Sequence, residues 1–237
     1  MVTDTTEGRP GNQERLAYVF DTTRVRPSGL VGEIVIPPGV AGDNVQLART
    51  PLTAGFQCGW AKFQLTTVHI VWGNDDENNP DRIREIDRLA SFLADRAEDV
   101  QEIGDDNLVL LGDFNIFRPE SATMEALLTH KWVIPESIQT LGGTNVAGNK
   151  KYDQIAVREQ RHRFEPTGRA GIVDCYRSVF RTADADAYLK DRARPDDDPY
   201  AYPAWRTYQM SDHLPLWVEI DIDFADQYLD EIEAGYA

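Results

Sequence analysis

The stretch LVLLGDFN, residues 108–115, combines a buried-strand pattern with two polar residues at its end. Four apolar residues in a row predict a strand that is covered on both faces. Gly112 ends this run, and Asp113 and Asn115 follow it. Because residues two apart in an extended chain project to the same side, a carboxylate and an amide would face one point. That pair suits a hard cation or a phosphoryl oxygen, although a strand followed by an Asx turn produces the same pattern.

Two other stretches place a carboxylate beside an apolar strand. In SDHLPLWVEI, residues 211–220, Asp212 and His213 could supply a metal ligand and a general base, or they could form an ordinary loop dipeptide. In KKYDQIAV, residues 150–157, Asp153 interrupts an apolar run. A buried carboxylate needs a partner, and His213 would serve as one, whereas a solvated edge strand would need none.

Two single residues complete the set of candidates. His69 lies in FQLTTVHIVWG, and a lone histidine in an apolar strand is more often a satisfied core residue than a catalyst. Glu14 lies in NQERLAYVF, where it could simply be a charge at the end of a strand.

The remaining pattern indicates sheets covered by helices. The spacing of apolar residues predicts an amphipathic helix from Asp81 to about Ile103, stopped by Gly104, and shorter helices over Ala122–His130 and Ala225–Glu233. Short apolar runs predict strands at Leu16–Phe20, Val31–Ile36, Phe63–Trp72, Leu108–Leu111, Tyr152–Val157 and Leu216–Ile222.

Composition narrows the function classes. The 237 residues carry 24 Lys and Arg against 40 Asp and Glu, a formal net charge of −16, which argues against a generally basic nucleic-acid binder. No apolar run has the length of a transmembrane helix, and the N-terminus has no pattern of a secretory signal. The chain has two cysteines, which are too few for a disulfide scaffold. We therefore expect a cytoplasmic location.

In chain order, the candidates are Glu14, His69, Asp113-x-Asn115, Asp153 and Asp212-His213. This order resembles the endonuclease/exonuclease/phosphatase family, to which deoxyribonuclease I belongs. GDFN, YDQI and SDH stand in the order of that family, each beside an apolar strand, and ERLAYVFD, RTP and TTVHIVWG also resemble its strands and loops. The match covers nearly the whole chain, and GDFN and SDH together are a specific signal.

The resemblance implies one domain over residues 1–237, a four-layer α/β/β/α sandwich of the α+β class. It also implies hydrolysis of a phosphoester by water with Mg²⁺ or Mn²⁺. Asp212 would help bind the metal together with Asp113, which would also orient or deprotonate the attacking water, and Asn115 would hydrogen-bond that water or a phosphoryl oxygen. His213, held by Asp153, would polarise the phosphate or take a proton. His69, paired with Glu14, would stabilise the phosphate or protonate the leaving group.

One departure concerns the N-terminus. The family's domain begins with an Asn-bearing strand, a helix and a strand ending in a metal-binding Glu, and no residue here matches that Asn or Glu. We therefore expect a fold without its first strand, helix and second strand, from a fragment, a late start or a degenerate copy. The alternative function is an inactive remnant acting as a binding module. The substrate stays open among short nucleic acids, lipid headgroups and sugar phosphates, and no obligate protein partner is inferred.

Overall fold

The computed structural model describes residues 15–37, 46–98, 107–158, 164–189 and 201–235. A five-stranded sheet has the strand order β1-β2-β3-β4-β5, and a second sheet pairs β6 with β7. Within the five-stranded sheet, β3 and β4 run parallel, and the other neighbours run antiparallel. The strands are β1 (Arg26–Glu33), β2 (Leu52–Cys58), β3 (Ala61–His69), β4 (Asn107–Asp113), β5 (Asp153–Arg158), β6 (Glu165–Ile172) and β7 (Leu216–Asp221).

One face of the larger sheet packs against a long helix, and the other face packs against the smaller sheet. The helices are α1 (Pro80–Glu98), α2 (Ala122–Leu128), α3 (Glu136–Gln139), α4 (Ala185–Leu189), α5 (Ala201–Gln209) and α6 (Ala225–Glu233). Leu89 and Leu93 of α1 share a core with Leu108 and Leu110 of β4. The alternate residues of β4 and β5 pack with Ile220 of β7. This layering confirms the predicted α+β sandwich.

The sequence of α1 explains how it starts and which face it buries. Asn79 caps the helix, because its Oδ1 accepts hydrogen bonds from the backbone N–H groups of Asp81 (3.0 Å) and Arg82 (3.1 Å). Pro80 suits the first helical position, where no N–H partner is needed. The described part of the helix ends at Glu98, so the predicted extension to Ile103 and the stop at Gly104 lie outside the described residues.

Two ionisable side chains of α1 anchor the segments around it. Glu85 accepts hydrogen bonds from the N–H groups of Ala48 (2.8 Å) and Val71 (2.9 Å). Burial raises the pKa of the Glu85 carboxyl, and these two hydrogen bonds oppose the shift. Arg82 is fully buried and donates to backbone carbonyl groups of the segment that follows β3.

Gly112 is required by the close approach of β3 and β4. Its φ is 130°, and a Cβ built there would lie 2.3 Å from the carbonyl oxygen of Val68. Any other residue would therefore push apart the two parallel strands immediately before Asp113.

Two predicted strands were placed wrongly. Leu16–Phe20 does not form a strand, because only Ala17 makes an isolated bridge; instead, the Tyr18 hydroxyl lies 2.7 Å from the carbonyl oxygen of Leu52 and 2.6 Å from that of Leu65. The strand predicted at Val31–Ile36 is β1, which begins earlier and ends at Glu33. Strands β2 and β6 were not predicted, whereas the predictions at β3, β4, β5, β7, α1, α2 and α6 are confirmed in place.

None of the helices in the described ranges has both the length and the apolar character needed to cross a bilayer.

Candidate active site

Strand register places three of the predicted residues in one row. The parallel pairing of β3 and β4 sets His69 beside Asp113, and the antiparallel pairing of β4 and β5 sets Asp113 beside Asp153. The row lies at the end of β4 where its polar residues follow the apolar run. A site assembled on three hydrogen-bonded strands holds its side chains with little freedom.

His213 joins this row from the loop that precedes β7. Its Nδ1 lies 2.8 Å from Oδ2 of Asp153, and its Nε2 lies 3.9 Å from Oδ2 of Asp113. The Nε2 atom of His69 is 3.4 Å from the same Asp113 oxygen. The Asp113 carboxylate therefore lies between two imidazoles, one of which is oriented by a second carboxylate.

A turn before β5 fixes the position of the histidine loop. Asn145 forms an isolated antiparallel bridge with His213, and the Leu214 N–H donates to the carbonyl oxygen of Thr144 at 2.7 Å. The Thr144 hydroxyl accepts the N–H of Asp153 at 3.0 Å. One turn thus holds both members of the Asp153–His213 pair, a role that the sequence interpretation missed.

The glycine pair in the stretch GGTN was the available signal for this turn. A Cβ at Gly143 would lie 2.3 Å from the backbone nitrogen of Lys150. The backbone therefore folds back on itself so tightly that only glycine fits.

Burial and neighbouring charge shift two pKa values in the site. Burial raises the pKa of Asp113 to about 6; the charge of His213 opposes this shift and that of Asp153 adds to it. Burial alone would lower the pKa of His213, but the hydrogen bond to Asp153 and the charges of Asp153, Asp113 and Asp212 raise it to about 9. Asp113 and His213 therefore each favour the charged form of the other.

Asn115 lies beside Asp113 but has a different backbone conformation from the one expected. Its φ is 53°, so the chain leaves the extended form on which the same-side argument relied. Its N–H donates to Oδ1 of Asp113 at 2.8 Å, and its buried Nδ2 donates to the carbonyl oxygen of Ile70 at 2.8 Å. These bonds brace the carboxylate and the end of β3, and a contact of Asn115 with water or phosphate stays a prediction.

Two other predicted residues are not among the side chains that meet here. Glu14, the expected partner of His69, lies outside the described residues. Asp212 is exposed, and it acts on His213 through its charge. Within the described ranges, the group whose ligand atoms could share one metal ion is Asp113, Asp153 and His213.

Tyr152 is a further residue of the site that the sequence interpretation did not select. Its ring stacks on the His213 imidazole with a centroid distance of 5.2 Å and an interplanar angle of 25°. The ring therefore limits tilting of the imidazole while Asp153 holds one of its nitrogens.

Comparisons with known proteins bear on the fold. No family model and no curated protein sequence matches the chain. Among solved structures, a conserved protein of unknown function from Enterococcus faecalis V583 is similar at 16% identity with a TM-score of 0.52, over 94% of this chain and 77% of the other. The catalytic domain of human nocturnin is similar at 12% identity with a TM-score of 0.54, over 94% of this chain and 72% of the other.

Nocturnin is a member of the endonuclease/exonuclease/phosphatase family, so this likeness confirms the fold that GDFN, YDQI and SDH predicted. A family member from Bacteroides thetaiotaomicron is also similar, at 13% identity with a TM-score of 0.47, over 86% of this chain and 68% of the other. The likeness to the nocturnin catalytic domain shows that the chain has a deoxyribonuclease I-like fold.

Proposed function

We propose that the protein is a metal-dependent phosphoesterase that directs water to attack phosphorus. The observation that carries the proposal is the arrangement around Asp113, with two histidine Nε2 atoms at 3.4 and 3.9 Å from one carboxylate oxygen. The fold, shared with hydrolytic phosphoesterases, supports the same reaction class.

The donor set fits a hard divalent cation. Asp113 is a carboxylate with one oxygen facing two histidines, and Asp212 adds an exposed carboxylate whose charge reaches the same imidazole. Asp113 would hold Mg²⁺ or Mn²⁺, which binds through one or two carboxylates and keeps several waters, whereas the predicted second ligand Asp212 does not meet Asp113 in this structure. Asp153 is the less suitable ligand, since its Oδ2 already bonds to Nδ1 of His213. When bound, such a cation would neutralise charge on the phosphoryl group.

The side chains of the site can accept and supply the protons that the hydrolysis requires. Asp113 orients a water molecule or takes its proton as the new bond from oxygen to phosphorus forms. The ester bond from phosphorus to the leaving oxygen breaks, and that oxygen receives a proton from an imidazole, either His69 or His213. The second imidazole contacts the phosphoryl group. Asp153 keeps Nε2 of His213 directed at the site by holding Nδ1, as carboxylates do for catalytic histidines.

Hydrolysis of bis-p-nitrophenyl phosphate by the full chain with Mg²⁺ or Mn²⁺ tests the proposal. His213→Ala should lower turnover by at least about 10²-fold, which is typical for loss of a positioned acid–base group.

The matched control is His130→Ala. His130 also pairs with a carboxylate, Asp87, at 2.8 Å, and its carbonyl oxygen bonds to Arg158, at the opposite end of β5 from Asp153. The control should keep wild-type turnover. A folded His213→Ala protein with near-wild-type activity would remove His213 from the mechanism. A wild-type chain that binds phosphate without hydrolysis would favour the binding-module alternative.

A further inference from the structure

Three aromatic side chains lead away from His213 across the surface of the site. Tyr152, which stacks on the imidazole, packs edge-on against Trp72 at 5.5 Å and against Phe117 at 5.6 Å. Trp72 and Phe117 also contact each other at 5.3 Å. We call Trp72, Phe117 and Tyr152 the aromatic wall. One ring, that of Tyr152, separates Trp72 from the imidazole.

Trp72 is the member of the wall that offers a ring to a ligand. It is 37% exposed, whereas Phe117 is 4% exposed. An indole that is open on one side and packed on the other is a surface on which a flat group can stack.

The indole is held in place from behind. The guanidinium carbon of Arg82 lies 5.3 Å from the Trp72 ring and 4.9 Å from the Phe117 ring. The backbone of the same segment is fixed by hydrogen bonds from Arg82 to the carbonyl groups of Asn74 (2.9 Å) and Asp76 (3.1 Å). A ligand that stacks here therefore meets a ring that is already ordered, which lowers the entropic cost of binding.

Positive charge accompanies the wall in a strongly acidic chain. This charge is that of Lys150, whose Nζ lies 3.8 Å from the centroid of Phe117, because Arg82 is fully buried. The chain as a whole has a net charge of −16. A flat ring attached to one or two phosphates suits a surface with local cations, whereas a long polyanion would meet repulsion from the rest of the protein.

We propose that Trp72 binds the nucleobase of a short nucleotide phosphoester whose phosphate lies at His213, an inference that rests on the proposed phosphoesterase function. The Tyr152 ring lies 5.2 Å from the His213 ring and 5.5 Å from the Trp72 ring, and the sugar of the nucleoside would bridge this gap. The preferred substrate is then a mononucleotide ester or a dinucleotide rather than a sugar phosphate or a lipid headgroup.

Two esters with the same leaving group test the proposal. Thymidine 5′-(p-nitrophenyl phosphate) carries a base, and methyl p-nitrophenyl phosphate does not. The wild-type chain should prefer the base-bearing ester in kcat/KM, and Trp72→Ala should reduce that preference about tenfold, the effect of losing one stacked base. Trp72→Phe should keep part of it. Trp60→Ala is the control, because Trp60 is 66% exposed at the turn between β2 and β3, at the other end of β3 from His69.

A binding measurement separates this proposal from the proposed function. Calorimetry with thymidine 5′-monophosphate on the wild-type chain and on Trp72→Ala reports the base contact as a change in affinity, without relying on ester turnover. Weaker binding by about tenfold with Trp72→Ala supports the stacking role even if no ester is hydrolysed. If both esters are hydrolysed and Trp72→Ala leaves their ratio unchanged, phosphoesterase activity stands and the stacking role is wrong. Failure of thymidine 5′-monophosphate to bind, or tighter binding of glucose 6-phosphate that depends on Trp72, would also overturn it.

Discussion

Replacing Arg82 with methionine should be among the most destabilising single changes in this fold. Arg82 is 0% exposed, and its guanidinium donates to four carbonyl groups of the segment between β3 and α1: those of Val71, Trp72, Asn74 and Asp76. Methionine has a comparable length and keeps the contact with the aromatic rings, but it has no donors. The change therefore isolates the hydrogen bonds from the packing.

The expected loss of stability follows from the hydrogen bonds that the four carbonyl groups lose. A hydrogen bond from a charged donor contributes about 1.5–3 kcal/mol, and a buried acceptor left without a partner costs about 1–3 kcal/mol. The carbonyl groups of a surface loop can recover some bonds to water, so we expect a total of about 3–5 kcal/mol rather than the full sum. For a chain of this size, that loss lowers Tm by roughly 10 °C.

Urea unfolding followed by circular dichroism measures this loss, and Arg84→Met provides the control. Arg84 lies two residues along the same helix, with 44% of its side chain exposed and a surface pair with Asp81. Its replacement should change the free energy of unfolding by less than about 0.5 kcal/mol. Arg82→Lys should fall between the two, because an ammonium cannot reach the same set of acceptors. Equal stability of Arg82→Met and Arg84→Met would refute the reasoning.

Three further changes test other parts of the fold and site. Gly112→Ala should cost more than about 3 kcal/mol in urea unfolding, since its Cβ would lie 2.3 Å from the Val68 carbonyl oxygen at a φ of 130°. Glu85 has a raised pKa in the folded chain, so its contribution to stability is present below its ordinary pKa and is lost as pH rises through the raised one. The free energy of unfolding of wild type minus that of Glu85→Gln should therefore fall as pH rises above the ordinary pKa of a glutamate, about 4.3. Asp153→Asn should lower phosphodiesterase turnover by about 10²-fold or more, and adding His213→Ala should cause little further loss, because the pair acts as a unit.

The sequence predicted the elements that have strong periodicity. The apolar steps of α1 and the continuous run Leu108–Leu111 were placed correctly because each is buried along its whole inner face. Strand β2 was missed because its sequence, LTAGFQC, mixes small and polar residues, and its burial depends on β3 and on the Tyr18 ring rather than on alternation. Strand β1 was displaced because Pro27 and Gly29 resemble a turn, whereas they accompany a register irregularity in an edge strand.

The sequence predicted which residues belong to the candidate site but not how they are arranged. Asp113 and Asp153 could be singled out because each stands at an apolar run, and the suggested Asp153–His213 pair occurs with a 2.8 Å contact. That His69 and Asp153 flank the same residue depends on strand register, which local sequence does not reveal. Trp72, Thr144 and their neighbours lie in loops whose positions follow from the packing of distant segments.

The carboxylates of the site and the whole chain are negatively charged, so a bound phosphate group requires positive charge beside it. Asp113 and Asp153 lie beside a single imidazole with side chains that are 16% and 22% exposed, and Asp212 adds its field. A phosphate group approaching these carboxylates in a chain of net charge −16 would be repelled unless positive charge stood between them. The cations of the aromatic wall lie beyond Tyr152 and pack on aromatic rings, so they cannot fill that place. Positive charge at the site comes from the histidines and from Arg49, whose charge reaches Asp113. A divalent cation on the carboxylates would add to it, so we expect phosphate binding and metal binding to be mutually dependent here.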